Sequence, residues 1–341
     1  MELIRPAALR PGARVAAYTP SFPAAGLFPL RLQRGVDALR RAGFEVVVPD
    51  AATRVGGYKA GSAKERATAL MELFDDPDID GIVCTIGGFN SNAILPHLDY
   101  GRIRSNAKVL VGHSDATALL LAIYERAGVI TFYGPALLPE WGESGGPLGF
   151  TLECFLAVAQ RGEKAQFRPP AAWTNEFLDW ASGADERARR MQPHTGWRAL
   201  RPGRAEGRLV GGNIETINAI VGTPYCPSLE GALLFIEATE AEAYLPRIER
   251  ALDHLDIAGH MKDIRALLVA RCPDATPERG VDLDSLLCEI GGRLRVLVVA
   301  DLDFGHTDPK LTLPIGVEAE IVASASDVRL RLLAPAVRRD D

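Results

Sequence analysis

The chain has 341 residues, 47% hydrophobic and 24% charged, so it can bury a large core or two ordinary ones and is too apolar for intrinsic disorder. Its 38 Lys and Arg against 44 Asp and Glu give a net charge of −6, which argues against a general binder of polymeric nucleic acid. The opening MELIRPAALRPGARV lacks a signal-peptide core, no apolar run reaches the roughly 18 residues of a membrane span, and five scattered cysteines form no C-x-x-C pair. A soluble, cytoplasmic protein with reduced thiols is expected.

Strand-like and helix-like runs alternate from the start. RVAAYT (Arg14–Thr19) reads as a strand, Leu30–Ala42 as an amphipathic helix, and Phe44–Val48 as a second strand. Ser62 followed by Glu65 is a capping box and opens a helix to about Phe74. Gly81–Ile86 and Lys108–Gly112 read as buried strands, the second running straight into a helix over Ala116–Ala127. Such alternation predicts a parallel sheet with both faces covered, a Rossmann-like α/β domain over residues 1–161.

The pattern breaks between 162 and 205, where Pro169-Pro170, the charged run Asp185–Arg190 and three of the four tryptophans fall together. Two readings stay open: a surface linker between domains, or a binding loop built on Trp173, Trp180 and Trp197. From 206 to 341 a second α/β domain is expected. Strands Gly207–Val210, Ala232–Glu237, Ala266–Ala270 and Leu294–Ala300 come with helices over Ile214–Val221, Leu245–Leu255 and Leu283–Ile290, and three β segments close the chain after Lys310.

Four segments can carry chemistry, and each ends a strand. Gly112-His113-Ser114-Asp115-Ala116 sits where a strand turns into a helix, so Ser114 reads either as a nucleophile on a sharp turn or as a helix N-cap, the reading Asp115 shares. His113 is set aside as a base for Ser114, because neighbours on a strand face opposite sides. Gly87-Gly88 in TIGGFNSN reads either as a structural turn alone or as a nest whose N–H groups suit a phosphate or the oxyanion of acyl transfer. Glu237 closes the strand LLFIE, and His306 lies in DFGHTDP after the strand VLVVA. An activated serine needs a base, the base an orienting carboxylate, and the oxyanion its donors; these segments hold one of each. No G-x-G-x-x-G, Walker lysine, H-E-x-x-H or Cys/His zinc spacing is present, so neither a cofactor nor a metal is expected.

In this order, RVAAYTPS, YKAGSAKERA, TIGGFNSN, VGHSDATAL, RLVGGNIETI, LLFIEATE and DFGHTDPKLTLPIG resemble the LD-carboxypeptidase family of serine peptidases over nearly the whole chain. The resemblance implies Ser114 as nucleophile, Glu237 as acid and His306 as base, with Gly88 and Asp115 offering backbone N–H groups to the oxyanion. It also implies a homodimer. WTNEFLDWA (Trp173–Ala181) is similar to the extended loop of the family's microcin C self-immunity branch, which hydrolyses the carboxamide of peptidyl- or aminoacyl-nucleotides. By that likeness Trp180 stacks on the base and Asn213 contacts substrate.

That branch carries a lysine in the loop after the acid, where this chain has Ala238-Thr239-Glu240-Ala241-Glu242-Ala243. Two acids there disfavour a doubly charged phosphate, so a different nucleotide is one reading; a broader aminoacyl-nucleotide hydrolase activity and murein tetrapeptide cleavage in cell-wall recycling are the alternative substrate readings. A non-catalytic anion- or nucleotide-binding protein is the alternative of another class.

Overall fold

The computed structural model describes residues 2–339; Met1, Asp340 and Asp341, the outer ends of the two expected domains, lie outside the described residues. The first half forms a sheet from β1 (Arg14–Tyr18), β2 (Glu45–Val47), β3 (Gly81–Cys84), β4 (Val109–Gly112) and β5 (Thr131–Tyr133), all parallel, in the spatial order 5-4-3-1-2. β3 and β4 are buried along their whole length, as expected of strands covered by helices on both faces. The helix Pro29–Arg41 starts on a proline and ends on Arg40 and Arg41, which suits the helix dipole. The helix Ala63–Asp75 carries the expected reciprocal cap between Ser62 and Glu65.

The second half forms an eight-stranded sheet. Its elements are β6 (Gln166–Phe167), β9 (Arg198–Arg201), β10 (Gly203–Asn213), β11 (Ala232–Glu237), β12 (Ala266–Ala270), β13 (Leu297–Leu302), β15 (Glu318–Ala323) and β16 (Val328–Leu332). Strands β10 to β13 run parallel, while β15, β16, β6 and, at the other edge, β9 are antiparallel additions. β10 is longer than its apolar run, because its polar start pairs with β15. A small hairpin, β7 (Ala172–Trp173) with β8 (Gln192–Pro193), stands apart from both sheets.

Two features cross the boundary expected at 205. β14 (Leu313–Ile315) returns from the C-terminal half to pair antiparallel with β5 in the first sheet. The expected linker supplies β6 and β9 to the second sheet, so it is built into the fold. The two sheets meet on an aromatic trio: Tyr133 lies edge-to-face 5.5 Å from Phe235 and 6.4 Å from Phe304, and those two rings are 5.6 Å apart. All three are buried, and each such pair contributes about 0.5–1.5 kcal/mol beyond its area. Among the described residues no helix is long and apolar enough to cross a membrane.

Candidate active site

Open parallel sheets present loops at the carboxyl ends of their strands, and three such ends of the first sheet converge here. After β4 the backbone turns sharply at Ser114, which adopts a left-handed φ of 60°. Outside glycine that conformation is uncommon and strained. One 3₁₀ turn, Ser114–Ala116, then leads into the helix Thr117–Ala127. After β3 comes the loop Gly87–Asn90. It is held to the loop after β1 by Ser21, whose Oγ accepts from the N–H groups of Phe89 (3.0 Å) and Asn90 (3.1 Å). It is held to the β4 turn by Asp115, whose carboxylate accepts from Asn90 N–H at 3.0 Å and Ser91 N–H at 2.9 Å.

Gly87 lies directly against the turn. A Cβ there would fall 2.9 Å from Ser114 Cβ and 3.0 Å from both Ser114 Oγ and the Asp115 nitrogen. At Gly88, φ is +146° and a Cβ would sit 2.4 Å from Ser21 Oγ, so no larger residue fits. The Gly88 N–H has no hydrogen-bond partner among the described residues and is free to donate to a ligand. Gly87→Ala is therefore expected to cost about 1–3 kcal/mol through overpacking, read as a lowered Tm. Gly149→Ala, where a Cβ meets nothing within 4 Å, is the control and should stay near wild type.

The second sheet contributes from the ends of β11 and β13. Glu237 is the last residue of β11, in register with Asn213 at the end of β10. Its Oε2 lies 2.8 Å from His306 Nδ1, and its Oε1 accepts a 2.8 Å bond from the Tyr133 hydroxyl. Tyr133 Oη in turn accepts from the Ser114 N–H at 3.2 Å, so one phenol ties the turn to the carboxylate across the two sheets. Burial opposes ionisation of Glu237, but the His306 charge and hydrogen bond, with the Tyr133 hydroxyl, outweigh it and bring the pKa down to about 2. Burial likewise pushes His306 down, and Glu237 more than reverses this, leaving the imidazole above its ordinary value.

Ser114 and His306 line one cavity of about 640 Å³, together with Gly88, Asp115, Trp180 and Asn213, while Glu237 is buried behind His306. All seven sequence-predicted site residues thus meet at one place. Ser114 and His306 face the same cavity, with no hydrogen bond between them among the described residues. Asn213 is engaged at both ends: Oδ1 caps Thr216 N–H at 2.9 Å and Nδ2 donates to Glu242 at 2.8 Å. Burial raises the Glu242 carboxyl above its ordinary range.

The segment 162–205 forms part of the cavity. Thr174 and Asp308 exchange backbone hydrogen bonds of 2.7 and 2.9 Å, clamping this segment to the loop that carries His306. Two of its tryptophans are structural: Trp197 Nε1 donates to buried Asp303 at 2.6 Å, and Trp173 lies under Arg271 at 4.3 Å. Trp180, half-buried, lies 4.2 Å from the Arg31 guanidinium and edge-on to Phe28 at 5.4 Å while lining the cavity.

Sequence reasoning passed over three groups. Tyr133 ends a strand, the one signal that could have marked it. Exposed Phe89 and Phe177 stand at the cavity wall from two different loops. His113 also lines the cavity, because the left-handed turn at Ser114 ends the strand alternation used to set it aside. Among the described residues no group of three or more His, Cys, Asp or Glu side chains is placed to hold a metal ion.

Comparison with known proteins identifies the family. Residues 15–134 match the LD-carboxypeptidase N-terminal domain and residues 206–321 the LD-carboxypeptidase C-terminal domain. The microcin C7 self-immunity protein MccF of Escherichia coli is 34% identical over 320 residues, covering 92% of each chain. The murein tetrapeptide carboxypeptidase of Pseudomonas aeruginosa is 27% identical over 77% of this chain and 78% of its own. The wild-type apo structure of MccF superposes with a TM-score of 0.90 at 31% identity, covering 98% of this chain and 100% of that one. The muramoyltetrapeptide carboxypeptidase of Oxalobacter formigenes gives 0.76 at 26% identity, covering 94% of this chain and 98% of its own. The chain belongs to the LD-carboxypeptidase family of serine peptidases.

Proposed function

We propose that this chain hydrolyses the carboxamide bond of aminoacyl- or peptidyl-nucleotides, with Ser114 as nucleophile, His306 as base, Glu237 as the acid that orients it, and the N–H groups of Gly88 and Asp115 as oxyanion donors. The observation that carries the reading is the 2.8 Å Glu237–His306 pair on the same cavity as a serine in left-handed conformation. With Nδ1–H given to Glu237, His306 keeps its Nε2 lone pair for the serine proton. Ser114 Oγ attacks the carbonyl carbon and the oxygen takes up negative charge between the two N–H donors. Collapse sends the proton from Nε2 to the leaving nitrogen, and water then releases the acyl group by the reverse sequence. Substrate closing the gap between Ser114 and His306 is expected, since catalytic hydrogen bonds often tighten only in the complex.

The nucleotide part of the reading rests on Trp180 and on the relatives. MccF has been solved with glutamyl sulfamoyl guanosine and with aspartyl sulfamoyl adenosine, and a tryptophan-to-phenylalanine mutant of it with adenosine monophosphate. If Trp180 is the platform for the base, Trp180→Ala weakens binding of an aminoacyl nucleotide by about 1–3 kcal/mol, or about 5- to 150-fold. Phenylalanine restores most of it, and a murein peptide is hardly affected. Equal loss on both substrate classes with a large fall in Tm would make Trp180 a packing residue instead.

One observation favours the murein tetrapeptide as substrate. Glu240 and Glu242 line the cavity from the loop after Glu237. A lysine is one of three residues changed to alanine, with a serine and an asparagine, in an active-site mutant of MccF. A hydrolysis panel pairing aminoacyl-sulfamoyl adenylates with a murein tetrapeptide separates the two: cleavage of the adenylates alone supports the proposal, and cleavage of the tetrapeptide alone overturns it. The proposal includes a cytoplasmic homodimer, whose subunit number light scattering measures.

A further inference from the structure

Tyr133 closes β5, is 1% exposed, and lies behind the residues that line the cavity. It is out of reach of substrate, yet its hydroxyl stands between two groups of the proposed mechanism. A backbone N–H can only donate, so the 3.2 Å bond from Ser114 makes the phenol oxygen the acceptor there. The one phenolic proton is left for Glu237 Oε1 at 2.8 Å. Burial, reinforced by the Glu237 charge, pushes the Tyr133 pKa well above its ordinary value, so the hydroxyl keeps that proton throughout the working range of an enzyme. Phe235 and Phe304, both edge-on, hold the ring.

Both partners of the hydroxyl are thereby constrained. The Ser114 N–H is committed to Tyr133, which takes it away from the oxyanion and steadies the left-handed turn. Glu237 is engaged on both oxygens, by Tyr133 at Oε1 and by His306 Nδ1 at Oε2. A carboxylate that shares its charge between two donors pulls less on each, so the phenol tempers the rise that Glu237 imposes on His306. The other ionisable groups around the pair are Lys310, which opposes a charge on His306, and Glu242, which favours one. Lys310 is itself held by Glu140 and Asp308, while His113 and Cys272 lie near Glu237. A neutral hydroxyl changes the charge of none of them.

We infer that Tyr133 is a positioning residue: its hydroxyl locks the Glu237 carboxylate onto His306 and, at the same time, the nucleophile turn at Ser114, so that the two sheets deliver their halves of the site in register. The inference rests on the serine-hydrolase reading and adds to it a residue that acts through Ser114 and Glu237.

Tyr133→Phe removes the hydroxyl and keeps the ring. Its kcat should fall by about 10- to 100-fold, the range of a hydrogen bond to a charged group, with KM little changed because no contact to substrate is lost. NMR titration of histidine-labelled protein reads His306 directly and needs no substrate. With Glu237 left to a single donor, the His306 pKa should lie above that of the wild type. The deficit in kcat/KM should accordingly widen by about two- to threefold from about pH 8 to about pH 6. A merely structural role would lower Tm and leave that titration unmoved. Replacing Tyr133 by 3-fluorotyrosine, a stronger donor of nearly the same shape, should move His306 the other way and decides the matter if the phenylalanine variant does not fold. An unchanged kcat in Tyr133→Phe, or a His306 titration that is unchanged or moves down, would overturn the inference. Ser114→Ala keeps this apart from failure of the underlying reading. Near-normal turnover in Ser114→Ala removes the nucleophile, whereas an inactive Ser114→Ala beside an unmoved titration in Tyr133→Phe removes only the role of Tyr133.

Discussion

Ser114→Ala is expected to lower kcat by about 10⁶-fold on any substrate the wild type cleaves, with Tm nearly unchanged. Without Oγ no acyl-enzyme forms, and what survives is the contribution of the cavity and its N–H donors. His306→Ala should cost a similar amount, since a serine without its base is a weak nucleophile. The double variant should be barely worse than either single one, because the two act as a unit. Stopped-flow and single-turnover assays on the three proteins measure this directly. Additive losses would mean that the two residues work independently, and near-normal turnover in Ser114→Ala would remove the nucleophile.

Glu237→Gln should lower kcat by about 10⁴-fold while preserving the fold. The amide has the same shape, and its oxygen can still accept from Tyr133, which now donates to Glu237 Oε1 at 2.8 Å. Its NH₂ then faces His306 Nδ1 and favours the tautomer with the proton on Nε2, so the ring can no longer accept the proton of Ser114. The sign of the pH effect follows. Glu237 raises the His306 pKa against the effect of burial. Wild-type kcat/KM should therefore fall as pH drops through a value above the ordinary 6.5 of histidine. In Glu237→Gln the residual activity should hold to lower pH, because burial then dominates. Glu237 also favours the folded state above the ordinary carboxylate range, a contribution lost as pH falls toward its pKa of about 2.

Most of this site lies where strands end, and strand ends are readable. β3, β4, β11 and β12 are short buried runs bounded by glycine or charge, so the segments carrying Gly88, Ser114 and Glu237 stood out, and the cap on Ser62 was explicit. Long-range pairing was not readable. β14 joins β5 across the chain, and the short run 198–201 (Arg-Ala-Leu-Arg) becomes an edge strand by pairing with β13. The tryptophans of 162–205 announced a purpose without dividing it. Trp173 and Trp197 serve Arg271 and Asp303, the residues that follow β12 and β13, and of the three only Trp180 reaches the cavity. His113 also lines the cavity, without a hydrogen bond to Ser114 among the described residues.

The central claim is that Ser114 is an activated nucleophile. Labelling with a fluorophosphonate followed by peptide mass mapping tests it most directly and needs no knowledge of the substrate. The predicted result is one stoichiometric adduct on Ser114, absent in Ser114→Ala and strongly slowed in His306→Ala. Absence of any adduct on the folded wild-type protein, or an adduct on another serine, would contradict the account and favour a non-catalytic binding protein.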